Sequence, residues 1–145
     1  MQDLIVKAVD NFFKETLGFE SKMGDKFVSK EVYVSSVSLE IDSIKDDFYL
    51  TMSDELLVEV SKVLFFDDEP DSETKIDLIG ECANLIIGNL KVLLSDKEDI
   101  ELGTPQYQGF FEGEFSKEFD DSYYFHVEQY EFMIGVERVK STVTQ

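Results

Sequence analysis

Over residues 76–94 the apolar side chains recur at three- and four-residue intervals, and this long amphipathic helix constrains the fold more than any other stretch of the chain. With Glu81 at zero and about 100° per residue, Ile76, Ile79, Ala83, Ile86, Leu90, Leu93 and Leu94 fall between about 120° and 220°. A helix with one apolar side must bury that side against a second layer. Segments of period two supply it. Residues 31–42 alternate as a strand whose phase slips between Val32, Val34 and Val37, Leu39, Ile41, which predicts a bulge or a change of exposed face near Ser35-Ser36. Asp46-Asp47 reads as a turn into a second strand over residues 48–52.

The remaining punctuation completes the order. Leu4, Ile5, Ala8, Val9, Phe12, Phe13 and Leu17 form the apolar stripe of an N-terminal helix that Gly18 stops. Ser53-Asp54-Glu55 offers an N-cap and an acidic first turn to a second helix carrying Leu56, Leu57, Val60, Val63 and Leu64. An acidic linker with Pro70 follows, and Ser72 or Asp71 caps the long helix. Gly103-Thr104-Pro105 then breaks the chain before about three strands, over residues 107–115, 122–129 and 132–139. Their aromatic residues read as core. Phe132, Ile134 and Val136 alternate with Met133, Gly135 and Glu137. The expected class is α+β: a mainly antiparallel sheet with helices packed on one face, in a single domain over residues 1–145.

Composition narrows the chemistry. At 145 residues an ordinary hydrophobic core suffices, and one cysteine with one histidine can supply neither a disulfide nor a zinc site. The linker Asp67-Asp68-Glu69-Pro70-Asp71-Ser72-Glu73 lacks the glycine and alternate-ligand spacing of a calcium loop, so no metal site is expected. A net charge of −19 with one arginine argues against nucleic-acid or anionic-membrane binding. It also argues against a self-sufficient phosphate pocket, since there is neither a glycine-rich phosphate loop nor an arginine cluster. With no basic leader or spanning apolar run, the expected compartment is the cytoplasm.

The polar side of the long helix is unusual. Asp77, Glu81, Asn84 and Gly88 share one narrow stripe, and Leu85 and Val92 lie close beside it. Apolar residues around a carboxylate and an amide are the makings of a docking site. Glycine inside a helix costs about 1 kcal/mol relative to alanine, so Gly88 suits a place where something approaches the backbone closely. Gly80, on another side, suits close packing.

The run Glu81-Cys82-Ala83-Asn84-Leu85-Ile86-Ile87-Gly88-Asn89 resembles the signature helix of the CheC/CheX family of chemotaxis phosphatases: Glu and Asn three apart, then Gly four after the Asn. Chain length, the N-terminal helix, the preceding strands and the Leu102-Gly103-Thr104-Pro105 approach to later strands extend the likeness. Only Asn84 has a glutamate three residues before it, which matches the single-signature CheX type. The resemblance implies a homodimer that hydrolyses the aspartyl phosphate of a CheY-type response regulator. It implies no cofactor of the chain's own, because the partner brings Mg2+ and a lysine. Asn84 would orient the attacking water and Glu81 would pair with that lysine, with Asp77, Leu85, Gly88 and Lys91 as partner-binding candidates.

The chemistry is sound. Phosphoryl transfer depends on positioning and charge neutralisation, and an amide can donate to and accept from a water without changing protonation state. The alternative is a non-catalytic module that binds a response regulator or flagellar-switch protein through the same helix. A third reading, a merely solvated helix face, would be favoured if Glu81 and Asn84 were buried in intrachain hydrogen bonds. His126 reads as a structural or surface histidine and Cys82 as a packing thiol, without the neighbours a nucleophilic site needs.

Overall fold

The computed structural model describes residues 1–94, 99–113 and 117–139. Helix α1 (Gln2–Asp10) runs directly into a π-helical segment (Asn11–Leu17), and Gly18, at φ +75°, turns the chain away. Strand β1 (Ser21–Met23) is short and was not anticipated from the polar sequence around it. Then come β2 (Glu31–Ile41), β3 (Ile44–Ser53), α2 (Asp54–Phe65) and α3 (Ser72–Leu93). Four strands close the chain: β4 (Ile100–Leu102), β5 (Gln106–Glu112), β6 (Asp121–Val127) and β7 (Tyr130–Arg138). The expectation of about three strands missed β4, which has only three residues. Phe115, at the end of the expected aromatic strand, lies outside the described residues.

All strand pairs are antiparallel, in the order β1-β6-β7-β3-β2-β4, with β5 also paired to β2. The two short strands share one side of β2: β4 takes its Leu39–Ile41 end and β5 its Glu31–Ser36 end. The helices pack on one face. Tyr33, Val37 and Leu39 of β2, Phe48, Leu50 and Met52 of β3, and Phe132, Ile134 and Val136 of β7 join the apolar sides of α1, α2 and α3 in one core. The observed class is therefore the expected α+β.

One local expectation needs correcting and another resolves between its two alternatives. The turn between β2 and β3 is Asp42-Ser43, both at positive φ (51° and 70°), whereas Asp46 and Asp47 are strand residues opposite Leu39 and Ser38. A two-residue turn with both residues left-handed matches the strand twist, and aspartate tolerates that conformation well. The phase slip in β2 is the change of face and not a bulge against β3, since that pairing runs unbroken from Val32↔Ser53 to Ile41↔Ile44. Val32 and Val34 are fully buried on the face away from the helices, so apolar residues occupy both parities at this end of the strand. The irregularity lies in β5, where Val34 faces Gly109 and Ser35 faces Tyr107, leaving Gln108 as the extra residue.

Both helix starts follow the sequence. Ser53 Oγ accepts from the Leu56 N–H at 3.2 Å, and Asp71 Oδ1 accepts from the Thr74 N–H at 2.8 Å. The second cap holds the Asp71 carboxyl below its usual pKa through that backbone bond. No helix among the described residues is long and apolar enough to cross a membrane.

Candidate functional site

Helix α3 lies between two neighbours. On one flank Asn11 Nδ2, where α1 changes to π-helix, donates to Asn89 Oδ1 at 3.1 Å. On the other flank stands the β4–β5 connection. A Cβ added at Gly80 would stand 3.7 Å from Pro105, and one at Gly88 would stand 3.7 Å from Leu102. Gly80 thus has the packing role expected of it. Gly88 meets β4 at an ordinary contact distance, so the chain itself does not demand glycine there.

The buried arc of α3 is wider than the wheel suggested. It includes Leu78, Cys82 and Ile87 as well as Ile79, Ala83, Ile86 and Leu90, while Ile76 and Leu93 are only half-buried. Cys82 is wholly inside, not beside, the core. Burial pushes its thiol well above the usual pKa, and the neighbouring Glu81 carboxylate adds to the shift, so the thiol is a packing group rather than a nucleophile.

Outside that arc, α3 and the β4–β5 connection enclose a groove of about 520 Å³. Asp77, Gly80, Glu81 and Asn84 form the helix wall, Gly103, Thr104, Pro105 and Tyr107 form the opposite wall, and Ser35 of β2 also lines it. Ser35 Oγ donates to the Gln106 carbonyl at 3.3 Å, tying that wall to the sheet. At Gly103 the backbone N–H donates to the Ser38 carbonyl at 2.8 Å, and a Cβ there would overlap the Ser38 hydroxyl. Glycine lets the connection pass this close to β2. Partial burial raises the Tyr107 pKa, with Tyr33 adding to the effect, so the phenol stays neutral.

Glu81 is exposed and Asn84 half-buried, and neither makes a side-chain hydrogen bond or ion pair among the described residues. The merely solvated reading would be favoured by the opposite. Leu85 is 41% exposed and Val92 64%, which leaves apolar surface beside the pair. Asp77 shares the groove with them. Lys91 is exposed but does not line it. The wall contributed by Ser35, Thr104, Pro105 and Tyr107 was not identified from sequence; its trace there was the Gly103-Thr104-Pro105 break, read only as a boundary. No group of three or more His, Cys, Asp or Glu side chains among the described residues could hold a metal ion.

A family model described as Chemotaxis phosphatase CheX matches residues 36–110, just over half of the 145-residue chain. The chain belongs to the CheX family.

Solved structures share the fold. A chemotaxis protein CheX from Vibrio vulnificus aligns with a TM-score of 0.78 at 14% identity, covering 94% of this chain and 95% of that one. A CheC-like superfamily protein from a Shewanella species aligns at 0.76 and 20% identity, covering 96% and 97%. The CheX–CheY–BeF3–Mg2+ complex from Borrelia burgdorferi aligns at 0.69 and 17% identity, covering 96% and 97%. No curated protein sequence matches significantly. The matched CheX segment runs from the middle of β2 to most of β5 and contains both walls of the groove except Ser35.

Proposed function

We propose that this CheX-family chain is a phosphatase that removes the phosphoryl group from the aspartyl phosphate of a CheY-type response regulator. The observation that carries the reading is the state of Glu81 and Asn84: side by side on α3, open to a groove, and free of side-chain bonds among the described residues. A half-buried amide without an internal partner keeps both its N–H and its C=O for a water and a phosphoryl oxygen. Asn84 orients the attacking water, and Glu81 pairs with the lysine beside the regulator's phosphorylation site. Leu85, Gly88, Asp77 and Lys91 contribute to docking.

The division of labour follows from charge. A carboxylate and an amide cannot neutralise a phosphoryl group, so Mg2+ and the lysine come from the regulator. In support, the Borrelia relative was solved with CheY, beryllofluoride and Mg2+. We further read the chain as a single domain and a cytoplasmic homodimer, the latter with an exposed sheet edge at β5 available for pairing.

The test is dephosphorylation of a phosphorylated CheY-type receiver domain by the wild-type protein and by Asn84→Ala. The reading expects faster loss of phosphate with the wild type and no acceleration with the variant at unchanged thermal stability. Binding without acceleration by the wild type would instead make the chain a non-catalytic module.

A further inference from the structure

The groove beside Asn84 is amphipathic and of one charge. Among the described residues its carboxylates are Asp77 and Glu81, one helical turn apart, and no lysine or arginine lines it. The nearest cation in sequence, Lys75, is held by Asp54 at 2.7 Å, and that carboxylate raises the lysine's pKa. Asp77 is exposed and has no ion pair among the described residues. The groove is also lined by Ile76 on the same helix and by Pro105 and Tyr107 of the other wall, and Tyr107 is 43% exposed.

An anionic mouth over an apolar wall matches one kind of side chain. Lysine and arginine carry a cation on a long apolar stem, and an exposed tyrosine ring adds attraction for the cation. A purely apolar occupant would leave Asp77 desolvated beside it without a partner. An acidic occupant would meet like charge.

We propose that the groove receives a lysine or arginine of the response regulator, separate from the lysine assigned to Glu81, with its cation at Asp77 and its stem along Ile76, Pro105 and Tyr107. This rests on the phosphatase reading and extends it. The first contact aligns the partner for chemistry, and the second, at the groove mouth, sets which regulators are accepted. Asp77 touches no reacting atom, so its contribution lies in KM.

The experiment uses a CheY-type receiver domain, phosphorylated on its aspartate, that the wild-type protein turns over. Asp77→Asn and Asp77→Lys should raise KM about five- to tenfold with kcat within about twofold, as expected for loss of one interfacial charge pair. Tyr107→Ala should raise KM and Tyr107→Phe should not. Changing each exposed lysine and arginine of the receiver to glutamate should identify one variant whose weak turnover Asp77→Lys restores. The sign is diagnostic. On a chain of charge −19, neutralising an idle aspartate would leave KM unchanged or lower it against an acidic receiver. Either outcome overturns the proposal, as does a fall in kcat alone or the absence of any restoring pair. If the wild type turns over no receiver, the phosphatase reading fails first and the groove proposal with it.

Discussion

Two grooves of nearly equal size open on this molecule, about 520 Å³ beside Asn84 and about 500 Å³ beside Glu137, and both are rich in acids. In the second, several polar atoms are committed to partners, although Asp47 and Glu118 make no side-chain hydrogen bond or ion pair among the described residues. Glu137 takes Lys117 at 3.2 Å and the Tyr49 hydroxyl at 3.4 Å, and the Arg138 N–H donates to Asp120 Oδ2 at 2.7 Å. Arg138 Nε stands 3.5 Å from Asp46 Oδ1, close enough for an ion pair but not a good hydrogen bond. In the first groove Asp77, Glu81 and Asn84 have no such partners among the described residues. Size and acidity therefore do not distinguish the two grooves. What distinguishes the first is that the amide beside its acids is unpartnered among the described residues as well, and polar groups with internal partners have less to offer a ligand.

Breaking that contrast should produce its largest effect at Asn84. Asn84→Ala should lower kcat for dephosphorylation about 100-fold or more, since one positioned donor to a transition state is worth about that much. A variant within about threefold of the parent would remove Asn84 from the mechanism. Glu81→Gln should act next, raising KM about tenfold because a desolvated charge pair is lost. Leu85→Asp comes third. Its side chain makes apolar rim rather than chemistry, so receiver binding should weaken severalfold by titration calorimetry, with the melting temperature unchanged.

In the second groove, Arg138→Ala should leave turnover unchanged and cost about 0.5 kcal/mol or less in urea unfolding, as exposed ion pairs do. Asp47→Asn gives the smallest effect, with the opposite sign. Burial raises the Asp47 pKa, against the lowering influence of Lys45, with Glu137 and Asp46 also raising it. A carboxyl whose folded pKa exceeds its unfolded pKa binds its proton more tightly in the fold. It therefore destabilises the fold as pH rises through the carboxylate range. Asn should raise the melting temperature slightly at pH 7, and the gain should fade below the normal aspartate pKa. A loss of stability at pH 7 would contradict this account.

Legibility tracked the range of the interactions. The caps at Ser53 and Asp71, the alternation of Phe132, Ile134 and Val136, and the centre of the α3 stripe depend on neighbours within one element and are read from spacing, whereas the margins of that stripe, at Ile76, Cys82 and Leu93, are not. Predicting a turn at Asp46-Asp47 failed because the left-handed pair Asp42-Ser43 carries no glycine to announce it. The strand aromatics divide. Phe125 and Phe132 are core, but Tyr107 and Phe110 are more than a third exposed, because β5 lies at a sheet edge. No local pattern distinguishes a central strand from an edge.

For the site itself, the sequence alone determined the helix and its charges: Glu81 and Asn84 must share a stripe because three residues make most of a helical turn. It determined as well that a chain of charge −19 would need a partner's cations to act on a phosphoryl group. Only the tertiary structure decided that the stripe faces a groove. That depends on β4 and β5 pairing with β2 more than sixty residues earlier, which carries Gly103, Thr104 and Pro105 across from α3. Such contacts arise from the competition of all segments for burial, and it is this competition that left Asn84 without an internal partner.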